Sequence, residues 1–172
     1  DGGGTWSAWQ PAAASGSGPN TAYITATNVA FIESASQNRV DFRILDGGGV
    51  TDNSFPYTVM VDPTPPTNPT VFTSTSHVVL VWSADNTVDI AWSGAADATS
   101  SVAGYSLLWD TDPATLPDTV QDTTGTTATS PALADGCSHY ANLLTRDNAD
   151  NWSPSAVNLA PLPNDTQAPG AP

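Results

Sequence analysis

Lysine is missing from this 172-residue sequence, and Arg39, Arg43 and Arg146 are the only arginines. Against these three bases stand 17 acidic residues, so the formal net charge is −14 at pH 7. A surface of this charge repels the phosphate backbone of nucleic acids and the anionic headgroups of membranes. The absence of lysine also excludes Schiff-base catalysis and a phosphate-binding loop of the Gly-x-x-x-x-Gly-Lys type.

Cysteine and histidine are nearly absent as well. Cys137 is the single cysteine, which excludes a disulfide within the chain. Two histidines, His77 and His139, are one short of a three-histidine zinc site. Ser138 and Asp135 are close to His139 in sequence, but a catalytic triad is defined by geometry, and no Gly-x-Ser-x-Gly elbow is present. A turn followed by a strand explains these residues better, so we expect no catalytic site and no enzymatic activity.

Long apolar runs and helix-forming residues are scarce. No stretch reaches the roughly 18 consecutive apolar residues of a transmembrane helix, so no membrane insertion is expected. Met and Glu occur once each, whereas Thr occurs 23 times. Thr favours strands, and the abundant Asp, Asn, Gly and Pro favour turns. The composition therefore predicts an all-β protein that is extracellular, either secreted or at a cell surface.

The sequence contains a degraded internal repeat. The segment 62–69 recurs 103 residues later as 165–172, with Asp at the first position and Pro at the fifth and eighth positions of both copies. Two further matches occur in the same order, at offsets of 100 and 101 residues: Trp9 with Trp109, and 46–49 with 147–150. A period of this size is close to that of an immunoglobulin-like β-sandwich, about 100 residues.

This period predicts the domain organisation. The second module covers 70–161, between a Pro-rich linker at 62–69 and a second linker at 162–172 that leads to a next module or subunit. One period counted back from Asp62 places the expected start of the first module about 41 residues before Asp1. We therefore expect 1–61 to be the C-terminal half of a sandwich, whose missing strands lie outside the chain or are donated by a neighbour.

The second module reads as short strands separated by turns. In 87–92, Val88, Ile90 and Trp92 alternate onto one face, as in a half-buried strand. No segment has helical periodicity, and we expect about seven strands. The segments that we predict to be strands are 78–82, 87–92, 104–109, 126–129, 139–145 and 152–159.

Several of these residues carry a resemblance to known families. Trp92 on the second strand, Gly104-Tyr105 at the start of the third and Tyr140 before the sixth resemble a fibronectin type III module. The match is closer to the Ig-like and fibronectin-like repeats of large bacterial cell-surface and secreted proteins, which usually have Gly where Asp150 stands. The resemblance implies tandem immunoglobulin- or fibronectin III-like β-sandwiches, the first of them incomplete in this chain. The segments that match these bacterial repeats are 62–66, 85–89, 109–111, 131–136 and 145–153.

The same resemblance implies a structural function. The expected role is a non-catalytic spacer, stalk or filament subunit, whose partners are neighbouring modules or identical subunits. Pro65 and Pro66 have a fixed φ and no amide hydrogen, which stiffens the linker. The alternative is an adhesin or a carbohydrate-binding accessory module that contacts a glycan or a host surface. Trp6 and Trp9 would lie on opposite faces of a strand, so that one is available for a sugar to stack on. The other interpretation is that Trp9, like Trp109, lies in the core.

Calcium is the ion that the acidic residues would suit. In a sandwich of the kind that the resemblance implies, the loops 93–102 and 147–151 share one end with the linker that begins at Asp62. Ca²⁺ binds six to eight oxygens of carboxylates, amides, backbone and water, and related bacterial repeats often hold such ions between modules. Asp and Asn are also common turn formers, and this alternative remains open. The candidate ligands are Asp62, Asp97, Asp147, Asn148 and Asp150.

Overall fold

A computed structural model of the chain describes residues 13–18, 21–25, 29–45 and 48–169. All regular structure in these ranges is β, with twelve strands and no helix, which confirms the predicted all-β class. The chain divides into two compact units, Asp1–Asp62 and Pro63–Pro172. The residues that we expected to form the linker after Asp62 are therefore part of the second unit.

The described strands of the first unit form three separate two-stranded antiparallel sheets. The side chain of Asn38 in this unit is buried. The Nδ2 of Asn38 donates to the carbonyl of Ile32 at 2.6 Å, and the Oδ1 of Asn38 accepts from the amide of Ile32 at 3.0 Å. The pairs are β1 (Ala13–Gly18) with β2 (Thr21–Thr25), β3 (Ser34–Val40) with β6 (Tyr57–Val61), and β4 (Arg43–Leu45) with β5 (Thr51–Asn53).

The second unit contains two three-stranded antiparallel sheets. In each sheet the central strand pairs with one strand that is adjacent to it in sequence and with one that is not. The chain therefore crosses between the two sheets. The first sheet has the order β10 (Thr127–Thr129), β8 (Asp89–Ser93), β7 (Val71–Ser74); the second has the order β12 (Val157–Leu159), β11 (Tyr140–Asp147), β9 (Val102–Asp110).

Side chains from both sheets form one core. Val88, Ile90 and Trp92 are buried, as the alternation in 87–92 predicts. The Trp92 ring meets the Tyr105 ring of β9 edge to face, with centroids 5.3 Å apart, and Leu143 of β11 completes the same cluster. Each such aliphatic side chain stabilises the fold by roughly 1.5–3 kcal/mol when fully buried. Two sheets that share one core have the two-layer arrangement of a β-sandwich.

The prediction of a strand at 78–82 is wrong. These residues form a turn and bend, and the first strand of the second unit is β7, which alternates exposed and half-buried residues. A continuous apolar run does not specify which face is buried, whereas the alternation of β7 turns Phe72 onto Trp92, with ring centroids 6.2 Å apart. At the other end of the unit, β12 is shorter than the predicted 152–159.

The segment 111–126 covers the outer face of the second sheet. The amide of Leu107 donates to Asp122 at 2.7 Å, and the backbones of Tyr105 and Thr123 form a bridge. This cover explains why Asn142 on β11 is buried although its side chain is turned away from the core. Gly104 allows the close approach, because a Cβ there would lie 2.6 Å from the carbonyl oxygen of Thr123.

Candidate functional site: two anchored ends and an acidic cluster

Asp97 organises the loop that follows β8. Its Oδ1 accepts hydrogen bonds from the amides of Thr99 at 3.1 Å, Ser100 at 2.7 Å and Ser101 at 2.9 Å. Burial raises the pKa of Asp97, but these backbone hydrogen bonds outweigh it and hold the pKa below its usual value. Ser101 has a φ of 67°, so the carboxylate closes a tight turn that includes a left-handed residue.

Asp147 organises the loop that follows β11 in the same way. The side chain is fully buried, and its Oδ1 accepts from the amides of Ala149 at 2.8 Å and Asn151 at 2.9 Å. Its Oδ2 accepts from Nδ2 of Asn151 at 2.9 Å. A buried carboxylate is tolerated here because both of its oxygens accept hydrogen bonds.

Two of the five predicted ligands, Asp97 and Asp147, lie together in the second unit. One carboxylate oxygen of each lies within 4.8 Å of the other. Asp62 is the last residue of the first unit. Two oxygens that bind the same Ca²⁺ at roughly 2.4 Å are at most about 4.8 Å apart, so this spacing is compatible with a shared ion. Asp97 and Asp147 also act as turn-forming acceptors, as the alternative interpretation expects.

The other two predicted ligands make different contacts. Asn148 donates through Nδ2 to the carbonyls of Ser100 at 2.7 Å and Ser101 at 3.1 Å, which joins the loops after β8 and β11. Asp150 is exposed, lies outside the acidic group of the described residues, and forms an ion pair with Arg146. Its φ of 71° is in the left-handed region that favours glycine, the residue that the resembling repeats have at this position.

The chain enters the second unit through a segment that is bound to it. Residues 63–69 are named here the entry segment. Within it Pro66 is fully buried, and the amide of Thr67 donates to the carbonyl of Ala96 at 2.8 Å. The Oδ1 of Asn68 accepts from the hydroxyls of Thr145 at 3.1 Å and Ser153 at 2.8 Å. The entry segment is thus anchored by apolar burial and by side-chain hydrogen bonds.

The chain leaves through a second bound segment. Residues 161–166 are named here the exit segment. Leu162 is buried, and Asn164 exchanges two backbone hydrogen bonds of 2.9 Å with Gly136. The Oδ1 of Asp135 accepts from both the amide and the hydroxyl of Thr166, at 2.9 and 2.8 Å. Nothing in the composition of 162–172 predicts this anchoring.

The two segments lie at opposite ends of the sandwich. The entry segment contacts residues that follow β8 and β11, namely Ala96 and Ser153. The exit segment contacts residues that precede the same strands, namely Ser83 and Gly136. Since β11 has eight residues, the ends are about 26 Å apart at roughly 3.3 Å per residue.

Both histidines hold loops at the exit end. The Nε2 of His77 lies 2.8 Å from the carbonyl oxygen of Asp85, and the Nε2 of His139 lies 2.7 Å from that of Ala134. A carbonyl only accepts hydrogen bonds, so each Nε2 carries the proton in this geometry. His139 is therefore directed at the backbone, and the neighbouring Asp135 binds Thr166.

One surface was missed by the sequence interpretation. The apolar loop, defined as residues 78–82, exposes four apolar side chains: Val78, Leu80, Val81 and Trp82. Leu80 has a φ of 64°, an uncommon conformation for a residue other than glycine. The continuous apolar run was the available signal, and we interpreted it as a strand.

Comparison with known proteins does not identify a family for this sequence. Neither the family models nor the curated proteins that were searched match this sequence. Among the described residues, no helix has the length and hydropathy needed to span a bilayer. Trp6, Trp9 and Asp46, on which parts of the sequence interpretation depend, lie outside the described residues.

Proposed function

We propose that this chain is a non-catalytic structural part of an extracellular repeat protein and acts as a stiff spacer, stalk or filament subunit. One observation carries the proposal: the second unit binds both its entry segment and its exit segment, at opposite ends. A flexible linker would uncouple the orientations of consecutive modules. A linker that is buried and hydrogen-bonded to its own module leaves fewer freely rotating residues between consecutive modules, which would stiffen the junction.

The proposal includes the Ig-like or fibronectin III-like identity of the second unit. In such folds the first, second and fifth strands share one sheet, and the third, sixth and seventh share the other. The pairing of β7, β8 and β10 against β9, β11 and β12 supports this assignment, with the segment around Thr123 taking the place of a fourth strand beside β9. The contact between the rings of Trp92 and Tyr105, two residues that carry the resemblance, also supports the assignment.

The first unit enters the proposal as an incomplete sandwich. Phe55, Tyr57 and Met60 are exposed by 88%, 58% and 76%, although they lie in or beside strands. In the described residues β6 pairs with β3. A neighbouring module or an identical subunit would cover these apolar side chains, and addition of a strand to the sheet edge is the mode that we propose.

The same proposal includes a Ca²⁺ ion bound at the entry end of the second unit. The proximity of Asp97 and Asp147 supports it, since like charges repel and a divalent cation would neutralise them. Their hard oxygen ligands suit Ca²⁺ better than zinc. The ion would tie the loops after β8 and β11 together and stiffen the entry end.

Hydrogen exchange of the full chain tests the spacer proposal. We expect the amides of Thr67, Leu162 and Asn164 to exchange as slowly as that of Leu143 in the core strand β11, because all four are buried or bonded. Exchange of the segment amides at nearly unprotected rates, with β11 still protected, would contradict a spacer with fixed ends.

A pair of variants sharpens this test. Asn68→Ala removes the acceptor of two hydroxyl groups and should accelerate exchange at Thr67 while leaving Asn164 at the exit end unchanged. Asn158→Ala is the matched control, because the exposed Asn158 donates to the carbonyl of Pro113 and touches neither segment. Equal effects of the two substitutions would show that Asn68 does not anchor the entry segment.

The competing function is a carbohydrate-binding or adhesive module. Exposure of 60% of Trp82 is the observation that favours it, because an exposed indole can stack on a sugar ring. A glycan array probed with the full chain tests this function. Binding that is lost on Trp82→Ala, with the protein still folded, would replace the spacer proposal by this one.

A further inference from the structure

The entry segment contains the four prolines of the first copy of the internal repeat, 62–69. Two of them, Pro66 and Pro69, are buried, whereas Pro63 and Pro65 are exposed. Burial removes the apolar pyrrolidine ring from water and costs little conformational entropy, because the φ of proline is already fixed. Pro66 and Pro69 are therefore the apolar anchors of the entry segment.

The second copy of the repeat, 165–172, has proline only where the first copy buries it. Pro169 stands at the position of Pro66, and Pro172 stands at that of Pro69. At the two positions where the first copy exposes proline, the second copy has threonine and alanine. Proline stiffens a linker at buried and exposed positions alike, so stiffness alone does not explain this pattern. Packing does, because only a buried ring has a surface to pack on.

Pro169 differs from Pro66 in its surroundings, because Pro169 is exposed in this chain. The exit segment ends shortly before it, where the hydroxyl of Thr166 donates to Asp135 at 2.8 Å. Ala168, between Thr166 and Pro169, is exposed as well. The second unit therefore holds the base of a segment whose apolar anchor it leaves in water.

A second copy of the same chain is not a suitable partner for this segment. In every copy the carbonyl of Ala96 already accepts from the amide of Thr67. Asn68 already accepts from the hydroxyls of Thr145 and Ser153. The site that receives an entry segment is thus filled within the chain. A following module without an entry segment of its own would have the same site open.

We propose that 165–172 is the entry segment of a following β-sandwich of the second unit's kind. There Pro169 occupies the site that Pro66 occupies in the second unit. The amide of Gly170 donates to the following module as the amide of Thr67 does here. This inference rests on the proposed spacer function and names the partner of the exit end.

The junction that results is short. Only Gln167 and Ala168 lie between Thr166, which is bound to one module, and Pro169, which is bound to the next. The reach of a flexible linker grows with the number of its unbound residues, so two such residues leave the neighbouring modules little freedom.

The repeat also predicts which bonds the following module lacks. The hydroxyl of Thr67 donates to the carbonyl of Ala96 at 3.0 Å, and Gly170 has no hydroxyl. Asn68 accepts from two hydroxyls, and Ala171 at the matching position cannot. We therefore expect a contact that keeps the apolar anchors and the backbone bond but is weaker than the one at the entry end of the second unit.

A tandem chain tests the docking. It consists of the full chain followed directly by a second copy of 70–172, so that Pro172 precedes Thr70 as Pro69 does here. In two comparison tandems 167–172 is replaced by 64–69 or by Gly and Ser residues of equal number. We expect the melting temperature of the tandem to lie several degrees above that of the Gly-Ser tandem and below that of the other. Equal melting of the tandem and the Gly-Ser tandem would overturn the inference.

Substitution of the anchor isolates its contribution. Pro169→Ser should accelerate hydrogen exchange at the amide of Gly170 in the tandem at least tenfold, because the segment loses its buried ring. The same substitution should leave the melting of the single chain unchanged, since Pro169 is exposed there. Pro131→Ser, at an exposed proline outside the junction, is the matched control and should leave both measurements unchanged.

A gain of stability tests the position of the neighbouring residue. Ala171→Asn should raise the melting temperature of the tandem, because it restores an acceptor for the hydroxyls that Asn68 binds in the second unit. It should leave the single chain unchanged. No gain in the tandem would contradict the assigned register of the second copy on the following module.

The exchange data separate this inference from the proposed function. If Pro169→Ser leaves the exchange of Gly170 unchanged while Thr67 stays protected in the same tandem, the docking is overturned and the spacer function stands. Rapid exchange at Thr67 itself, with the core strand β11 still protected, would contradict the spacer function. Unchanged melting of the single chain with each substitution shows that the variants are folded.

Discussion

The two units differ in what becomes of their apolar side chains. In the second unit Ile90, Trp92 and Leu143 are buried between two sheets. In the first unit Phe55 and Met60 are exposed, and the described strands form separate two-stranded sheets. An apolar sheet face is stable only when a second layer covers it. The comparison teaches that the second unit covers its own apolar faces, whereas in the described part of the first unit Phe55 and Met60 remain exposed.

The largest expected effect tests this contrast directly. Trp92→Ala should reduce the free energy of unfolding by about 3–5 kcal/mol, because it leaves a cavity between the sheets. Phe55→Ala in the first unit should change it by less than about 0.5 kcal/mol, since the side chain is exposed. Urea denaturation of the full chain measures both. A similar loss for the two variants would mean that the units bury their aromatic side chains alike.

Calcium should stabilise the chain. At about 100 times its dissociation constant, an ion that binds only the folded state adds about 2.7 kcal/mol, which raises the melting temperature by several degrees. Thermal unfolding with calcium and with chelator measures this difference. Asp97→Asn should abolish it, and Asp165→Asn, in the exit segment, should not. No difference in the unsubstituted chain would leave the carboxylates as turn formers.

Removing a side-chain anchor of the entry segment should have the next largest effect on stability. Asn68→Ala should cost about 2 kcal/mol of stability, because the buried hydroxyls of Thr145 and Ser153 lose the acceptor that they share. Asn158→Ala, on the exposed edge strand β12, should cost less than about 0.5 kcal/mol. Chemical denaturation of both variants checks the difference, and equal losses would contradict the anchor.

A stabilising substitution refines the loop after β11. Asp150→Gly should raise the free energy of unfolding by about 0.5–1 kcal/mol, since glycine adopts the positive φ of this position without strain. The exposed ion pair with Arg146 that it removes contributes little. Ala149→Gly in the same loop is the control and should be slightly destabilising. A loss of stability on Asp150→Gly would show that the ion pair outweighs the strain.

The smallest effect is a pH dependence. The folded state lowers the pKa of Asp97 below its unfolded value of about 3.9. Its carboxylate therefore stabilises the fold above that value, and the contribution is lost as the pH falls through the lower folded pKa. Asp97→Asn should flatten the decline in stability below about pH 4. An unchanged slope between pH 4 and pH 2 would show that Asp97 does not contribute.

Part of the candidate site could be predicted from the sequence. Asp97 is in the loop after β8 and Asp147 ends β11. Both strands have a clear alternating or apolar pattern, so the placement of the two carboxylates at one end follows once the strands are assigned. Asn148 and Asp150 are in the same short loop, yet the backbone turns them toward Ser100 and Arg146. Residues two apart in a turn point in directions that a sequence pattern does not specify.

The sequence by itself determined the all-β class, the strands at 87–92 and 104–109, and the acidic surface, because alternation and charge are local properties of the chain. The tertiary structure alone decided that 78–82 is exposed, that Asn68 anchors the entry segment and that Asn164 pairs with Gly136. The physical reason is that each of these depends on partners 28 to 85 residues away. Such contacts form only after the two sheets have packed on each other.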